Sequence, residues 1–276
     1  MPSKKGTKKI ELVLAQFGEK AGVLEPSLSS FKKYFPNAPV TLYTDVNLEG
    51  TPNIDKIRVV SPPFRRDDTR YGWHSSNLYK VVGLLESRAE VAIAFDCDMV
   101  VFSKDIYTLV PLTRRFGVCL PANPRNLVRI DTEVGAGSDR ILDETRGCGL
   151  ALNTTPISFF IEHRLGREFL RVFCDEIINR PVRAPLAMWR ASWKTGFAPY
   201  ILPFQWCVCK EHIGIGNEII LHVGHEKVRR HYLGPHSMDV SLTSKKLPRF
   251  LKLVRRLMRT INERLTLFLP RRTPRR

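Results

Sequence analysis

Residues 91–95, Val-Ala-Ile-Ala-Phe, form an unbroken apolar run, and two aspartates follow at once in Asp96-Cys97-Asp98. A short run that is apolar at every position has no wet face. It is expected to be a strand buried on both sides, as in a parallel sheet covered by helices. Strand-like IELVLAQF (10–17), VTLYTD (40–45) and KIRVV (56–60) precede it. Helical stretches lie between, over 25–36 and over 74–87, the latter with Leu78, Val81, Val82 and Leu85 on one face. Such alternation predicts an α/β fold with a mainly parallel sheet flanked by helices. FGVCLP (116–121), GLALN (149–153) and EIILHV (218–223) continue as expected strands, and 162–178 as an amphipathic helix. In open sheets of this kind, ligands bind beyond the carboxyl ends of the strands. Asp96 and Asp98 stand at one such end, and EIILHV delivers His222 and His225 to another.

Two carboxylates one residue apart at a strand tip can share a divalent cation. Mg²⁺ and Mn²⁺ favour oxygen ligands, and substrate phosphates commonly complete their shells. A nucleoside diphosphate offers such oxygens, and the ion would stabilise charge on the departing diphosphate. The same residues, Phe-Asp-Cys-Asp-Met-Val, also fit the D-x-D-x-[TV] pattern of haloacid-dehalogenase-type phosphatases, with Asp96 as nucleophile. That pattern usually sits on the first strand with further acids later in the chain. Here three strands precede it, and Asp67-Asp68 comes earlier, in a polar loop.

At 276 residues the chain can bury a sizeable core. Its charge is uneven. Residues 245–276 hold twelve Lys or Arg against one acid, a net +11 of the chain's +17. Placed on a helix over 247–268, Phe250, Val254, Leu257, Ile261 and Leu265 share a face opposite Arg249, Lys252, Arg256 and Arg259, the pattern of an interfacial membrane helix. The expected division is therefore a catalytic domain over 1–240 and a basic amphipathic helical extension over 241–276. The tail's expected partner is an anionic membrane surface. Nucleic-acid binding is the lesser alternative, since the body carries no recognisable motif for it. No stretch approaches the roughly 20 apolar residues of a membrane span, and the basic start lacks the apolar core of a signal peptide. The expected location is cytoplasmic, peripheral on the inner face of a membrane. Of six cysteines, Cys207 and Cys209 form a lone C-x-C. Without a second pair it is taken as buried, reduced thiols rather than zinc ligands. The four tryptophans are expected mostly in the core.

Four segments in order, NLYKVVGLLES with VAIAFDCDMVV, GCGLALNT, LPFQWCV and LHVGHEK, resemble the GT-A nucleotide-sugar glycosyltransferases. The likeness is greatest to the glycogenin-like and bacterial lipopolysaccharide-galactosyltransferase-like group, and it spans about residues 10–232. It implies a metal-dependent (Mn²⁺ or Mg²⁺) hexosyl- or pentosyltransferase. Such an enzyme moves a sugar from a nucleoside-diphosphate sugar, a UDP-sugar by resemblance, to a glycan or lipid-linked acceptor, with retention. By position, Asp96, Asp98 and His222 would hold the metal, and Asp98 would act directly in catalysis. Ala15 and Gln16 would line the nucleoside pocket. Lys80, Cys97, Gly224 and Lys227 would meet the donor. The closing motif is one residue shorter than the family's His-x-x-Gly-x-x-Lys, which makes His225 the alternative third ligand. Gly147 stands where the family has Asn. The family's Asp-Gln pair has no match, and Gln205 is the nearest substitute.

Overall fold

The computed structural model describes residues 10–18, 24–48, 51–123, 149, 151–179 and 183–234. The expected tail helix and the 240/241 boundary lie outside the described residues, as do Gly147 and Cys148.

A seven-stranded sheet dominates. Its members are β1 (Ile10–Gln16), β2 (Val40–Thr44), β3 (Lys56–Val59), β4 (Val91–Phe95), β6 (Val118–Pro121), β7 (Ile157–Phe160) and β8 (Tyr200–Leu202). They run in the order β3-β2-β1-β4-β7-β6-β8. The first four are mutually parallel, β7 is antiparallel to β4 and β6, and β8 returns to parallel beside β6. The fold is thus α/β with a mainly parallel sheet. A separate two-stranded sheet pairs β5 (Met99–Val101) with β9 (Ile220–His222), antiparallel.

Strand alternation sends side chains to two cores. On one face Val13, Ala15, Ala92 and Ala94 meet α2 (Tyr71–Glu86), α4 (Arg164–Asn179) and α5 (Ala184–Thr195). On the other, Leu12, Leu14, Ile93 and Phe95 meet α1 (Leu24–Tyr34) and α3 (Leu109–Phe116), and Phe31 stacks on Phe95 at 3.6 Å between centroids. Each such fully buried ring stabilises the fold by about 1.5–3 kcal/mol. Small residues let α2 approach closely. A Cβ at Gly83 would come within 2.8 Å of the Tyr43 ring and closer still to Val13.

One expected strand is absent. GLALN shows no strand among its described residues; Leu152 makes only an isolated bridge to Ala122. The segment is tied to its neighbour instead, Asn153 N–H donating to the Pro121 carbonyl and Asn123 N–H to that of Ala151. The place beside β4 goes to Ile157–Phe160, whose β-branched and aromatic residues suit a buried strand. Between them, Thr155 Oγ1 accepts from Asp96 N–H at the end of β4, and the Thr154 hydroxyl donates to Asn77 Oδ1 on α2.

Candidate functional site

The strand order runs outward from β1 through β2 to β3, then resumes with β4 on the other side of β1. A crevice opens where two such connections diverge, beyond the carboxyl ends of the strands. Ala15 and Gln16 end β1 there, and Asp96 follows β4. A cleft of about 380 Å³ occupies this position. Its lining includes Ala15, Gln16, Asp96, Cys97, Asp98, His222 and His225.

The Asp96-Cys97-Asp98 turn is clamped at several points. Asp96 N–H donates to Thr155 Oγ1 at 2.9 Å, and Met99 N–H to the Asp96 carbonyl at 3.2 Å. Val223 N–H donates to the Asp98 carbonyl at 2.9 Å. From α1, Ser30 Oγ accepts from Val101 N–H at 3.0 Å. A turn clamped in this way costs little to order when a ligand arrives.

His222 reaches the acids through the small sheet, where Met99 and His222 are direct partners. Its Nε2 lies 3.2 Å from Asp98 Oδ1. Two cis ligands of an octahedral Mg²⁺ at about 2.1 Å stand about 3.0 Å apart, close to that spacing. One ligand atom each from Asp96, Asp98 and His222 falls within 4.8 Å of the others. Gly224 belongs to the same construction, because a Cβ on it would run into the Asp98 carboxylate. These residues fit a divalent ion.

Electrostatics sharpen the arrangement. Lys80 is 1% exposed, and its ammonium sits 2.5 Å from Asp96 Oδ1. It also donates to the Thr154 carbonyl at 3.2 Å. A buried cation persists when paired in this way. Burial alone would push the His222 imidazole down, but the Asp98 carboxylate and the Cys209 sulfur carry it well above its ordinary range. Cys209 is pushed down, first by its hydrogen bond with Cys207 and then, against burial, by His222 and His225. Burial and the two aspartates push the Cys97 thiol up, so it stays protonated beside the Ala15 carbonyl.

The remaining expected site residues divide. Lys80 does not line the cleft; its charge is committed to Asp96 and Thr154. Lys227 is exposed on α6 (Glu226–Leu233) and is not part of the lining. Gln205 is half-buried in a 3₁₀ turn, its carbonyl accepting from Ile219 N–H, and it too stays outside the lining. The cleft's cations are Arg70 and Arg183, which the sequence did not single out. Trp73 is half exposed rather than core, with the Arg183 guanidinium 5.2 Å from its ring centre. Trp193 is 77% exposed, and of the four tryptophans Trp206 alone is buried. Asp67 is ion-paired to Arg65 and does not join Asp96, so the phosphatase arrangement has no second acidic group from that loop.

No protein-family model matches the chain, and no curated protein matches it in sequence. Among solved structures, the 2-C-methyl-D-erythritol 4-phosphate cytidylyltransferase of Thermus thermophilus is similar over 71% of this chain and 88% of that one. The TM-score is 0.42 at 12% identity. A likeness at that level carries no argument about chemistry.

Proposed function

We propose that the cleft binds a nucleoside-diphosphate sugar together with Mn²⁺ or Mg²⁺, and that the protein is a glycosyltransferase of the GT-A kind. The observation that supports this best is the convergence of Asp96, Asp98 and His222 at the β1–β4 switch point, in a cleft that also carries Arg70 and Arg183. Two carboxylates and an imidazole suit Mn²⁺, which accepts both oxygen and nitrogen. When bound, the ion supplies Lewis-acid stabilisation of the diphosphate leaving group. The chain's own groups do the rest. Ala15 and Gln16 shape the nucleoside end. Arg70 and Arg183, rather than Lys227, offset the remaining phosphate charge. Lys80 holds Asp96 in one orientation. Trp73 offers a ring face to a sugar or base.

The acceptor in this reading is a glycan or lipid-linked sugar, and residues 241–276 hold the enzyme at an anionic bilayer through their charge. Among the described residues no helix is long and apolar enough to cross a membrane. The test is a panel of nucleotide sugars scored for slow, acceptor-free hydrolysis with and without Mn²⁺, alongside sedimentation with anionic vesicles. The expected result is one preferred donor, hydrolysed only with the ion, and salt-sensitive vesicle binding. Hydrolysis of none of them contradicts the enzyme reading, and no vesicle binding contradicts the tail's role.

A further inference from the structure

His222 has two ring nitrogens, and the second faces sulfur. Its Nδ1 lies 3.8 Å from Cys209 Sγ, which lies 3.9 Å from Cys207 Sγ. The backbone explains the grouping. Residues 207–209 run extended beside β9: Val208 N–H donates to the Ile220 carbonyl, and His222 N–H donates to the Val208 carbonyl. Extended backbone sends alternate side chains to opposite sides. Val208 joins Leu221, Val223 and Val228 in a small apolar cluster, while Cys207 and Cys209 both turn the other way. Both thiols are buried, Cys207 at 2% and Cys209 at 8% exposure.

Two of the three spacings match the edges of a tetrahedral ion. With Zn–S at about 2.3 Å and Zn–N at about 2.0–2.1 Å, tetrahedral edges are about 3.8 Å for S···S and about 3.6 Å for S···N. Ligand atoms of Cys207, Cys209 and His222 all lie within 4.8 Å of one another. His225 lies beside this group, its ring centre 4.7 Å from that of His222. On the far side of the imidazole, Nε2 meets Asp98 at 3.2 Å. A carboxylate accepting the second N–H of a metal-bound histidine is the usual support for such a ligand.

We propose that Cys207, Cys209 and His222 Nδ1 form a binding site for a thiophilic divalent ion of the Zn²⁺ class, its fourth position facing His225 or water. Asp98 is then a positioning residue for this site. The site needs no sugar donor, but it shares His222 and Asp98 with the carboxylate site: an ion on Nδ1 leaves Nε2 protonated toward Asp98 and so takes His222 out of the other ligand set.

Co²⁺ added to the reduced full-length protein reports directly on the ligands. The expected spectrum combines a thiolate-to-cobalt charge-transfer band with the intense visible bands of tetrahedral Co²⁺, saturating at one ion per chain and displaced by Zn²⁺. Cys207→Ser and Cys209→Ser should each remove the charge-transfer intensity or weaken Zn²⁺ binding by more than about 100-fold. Asp98→Ala should weaken it by about 10- to 100-fold, and Asp96→Asn should leave it unchanged. A wild-type spectrum without the charge-transfer band overturns the proposal, and this arm does not depend on any variant folding. Equal Zn²⁺ affinity in folded Cys209→Ser overturns it as well.

Discussion

His222 separates two unlike walls. On its Nε2 side stand carboxylates at the end of the large parallel sheet. Asp96 and Asp98 are each 28% exposed, open to the cleft, and one is already matched by buried Lys80. On its Nδ1 side stand thiols sunk in the core, supplied by a segment beside the small sheet. Hard, solvent-facing oxygen and soft, buried sulfur therefore meet at one imidazole. The difference is one of exposure as much as of atom type. A wall that must exchange substrate with water keeps its ligands at the cleft, whereas a wall that only holds an ion can bury them. With Nδ1 bound to an ion, Nε2 keeps its proton and donates to Asp98. With Nε2 bound, Nδ1–H points at sulfur. The tautomer of one residue sets which wall is ready.

Removing Asp98 should break the carboxylate wall most severely. Asp98→Ala is expected to lower turnover by about 10³-fold, the equivalent of about 4 kcal/mol of leaving-group stabilisation. The fold should survive, because the Asp98 contacts that clamp the turn use its backbone carbonyl. Turnover and melting temperature measured on the same sample decide this; near-wild-type turnover in a folded variant contradicts the assignment.

Lys80→Met tests whether that wall is neutralised in advance. Methionine keeps much of the stem but leaves Asp96 without its counter-charge. The metal-free protein should lose about 2 kcal/mol, and saturating Mn²⁺ should restore much of it by supplying the missing positive charge. Melting curves with and without Mn²⁺ check this, and an equal loss in both would mean that Asp96 does not meet the ion.

A smaller effect concerns protons. Because Asp98 and Cys209 raise His222 above its ordinary value of 6.5 despite burial, its charged form stabilises the metal-free protein fully below that pH. The contribution fades as pH rises through the higher folded value. An ion must displace that proton, so Mn²⁺ affinity should climb about tenfold per pH unit until His222 is neutral, then level off. Titrations between pH 5 and 9, on the order of the range over which imidazoles change charge, show the slope. A flat profile removes His222 from the ligand set.

Much of the parallel half was legible in the sequence. A continuous apolar run marks β4, and mainly apolar runs mark β1 and β2, because both faces of these strands are buried; Asp96 and Asp98 could be read from their place after such a run. The antiparallel half was less so. Ile157–Phe160 is short, and GLALN resembles a strand as strongly, so periodicity alone could not choose between them. His222 was found from a resemblance, but its contact with Asp98 depends on the pairing of Met99 with His222, across more than a hundred residues. Its thiol neighbours are near in sequence, Cys209 only 13 residues before it, but their approach depends on the segment around Val208 pairing with β9. Lys80 was expected to meet the donor, and its burial against Asp96 needed the helix to be docked on the sheet. Arg70 and Arg183 carry no local signal, since a lone arginine in a polar loop looks the same whether it faces a cleft or solvent.

The central claim is that protein and nucleoside diphosphate hold one divalent ion between them. Free Mn²⁺ measured by electron paramagnetic resonance, titrated into the protein with and without UDP, tests this most directly. If the ion is shared, UDP tightens Mn²⁺ binding and Mn²⁺ tightens UDP binding by the same factor. Asp98→Ala should abolish the coupling. Independent binding of the two, or unaltered coupling in Asp98→Ala, would contradict the account.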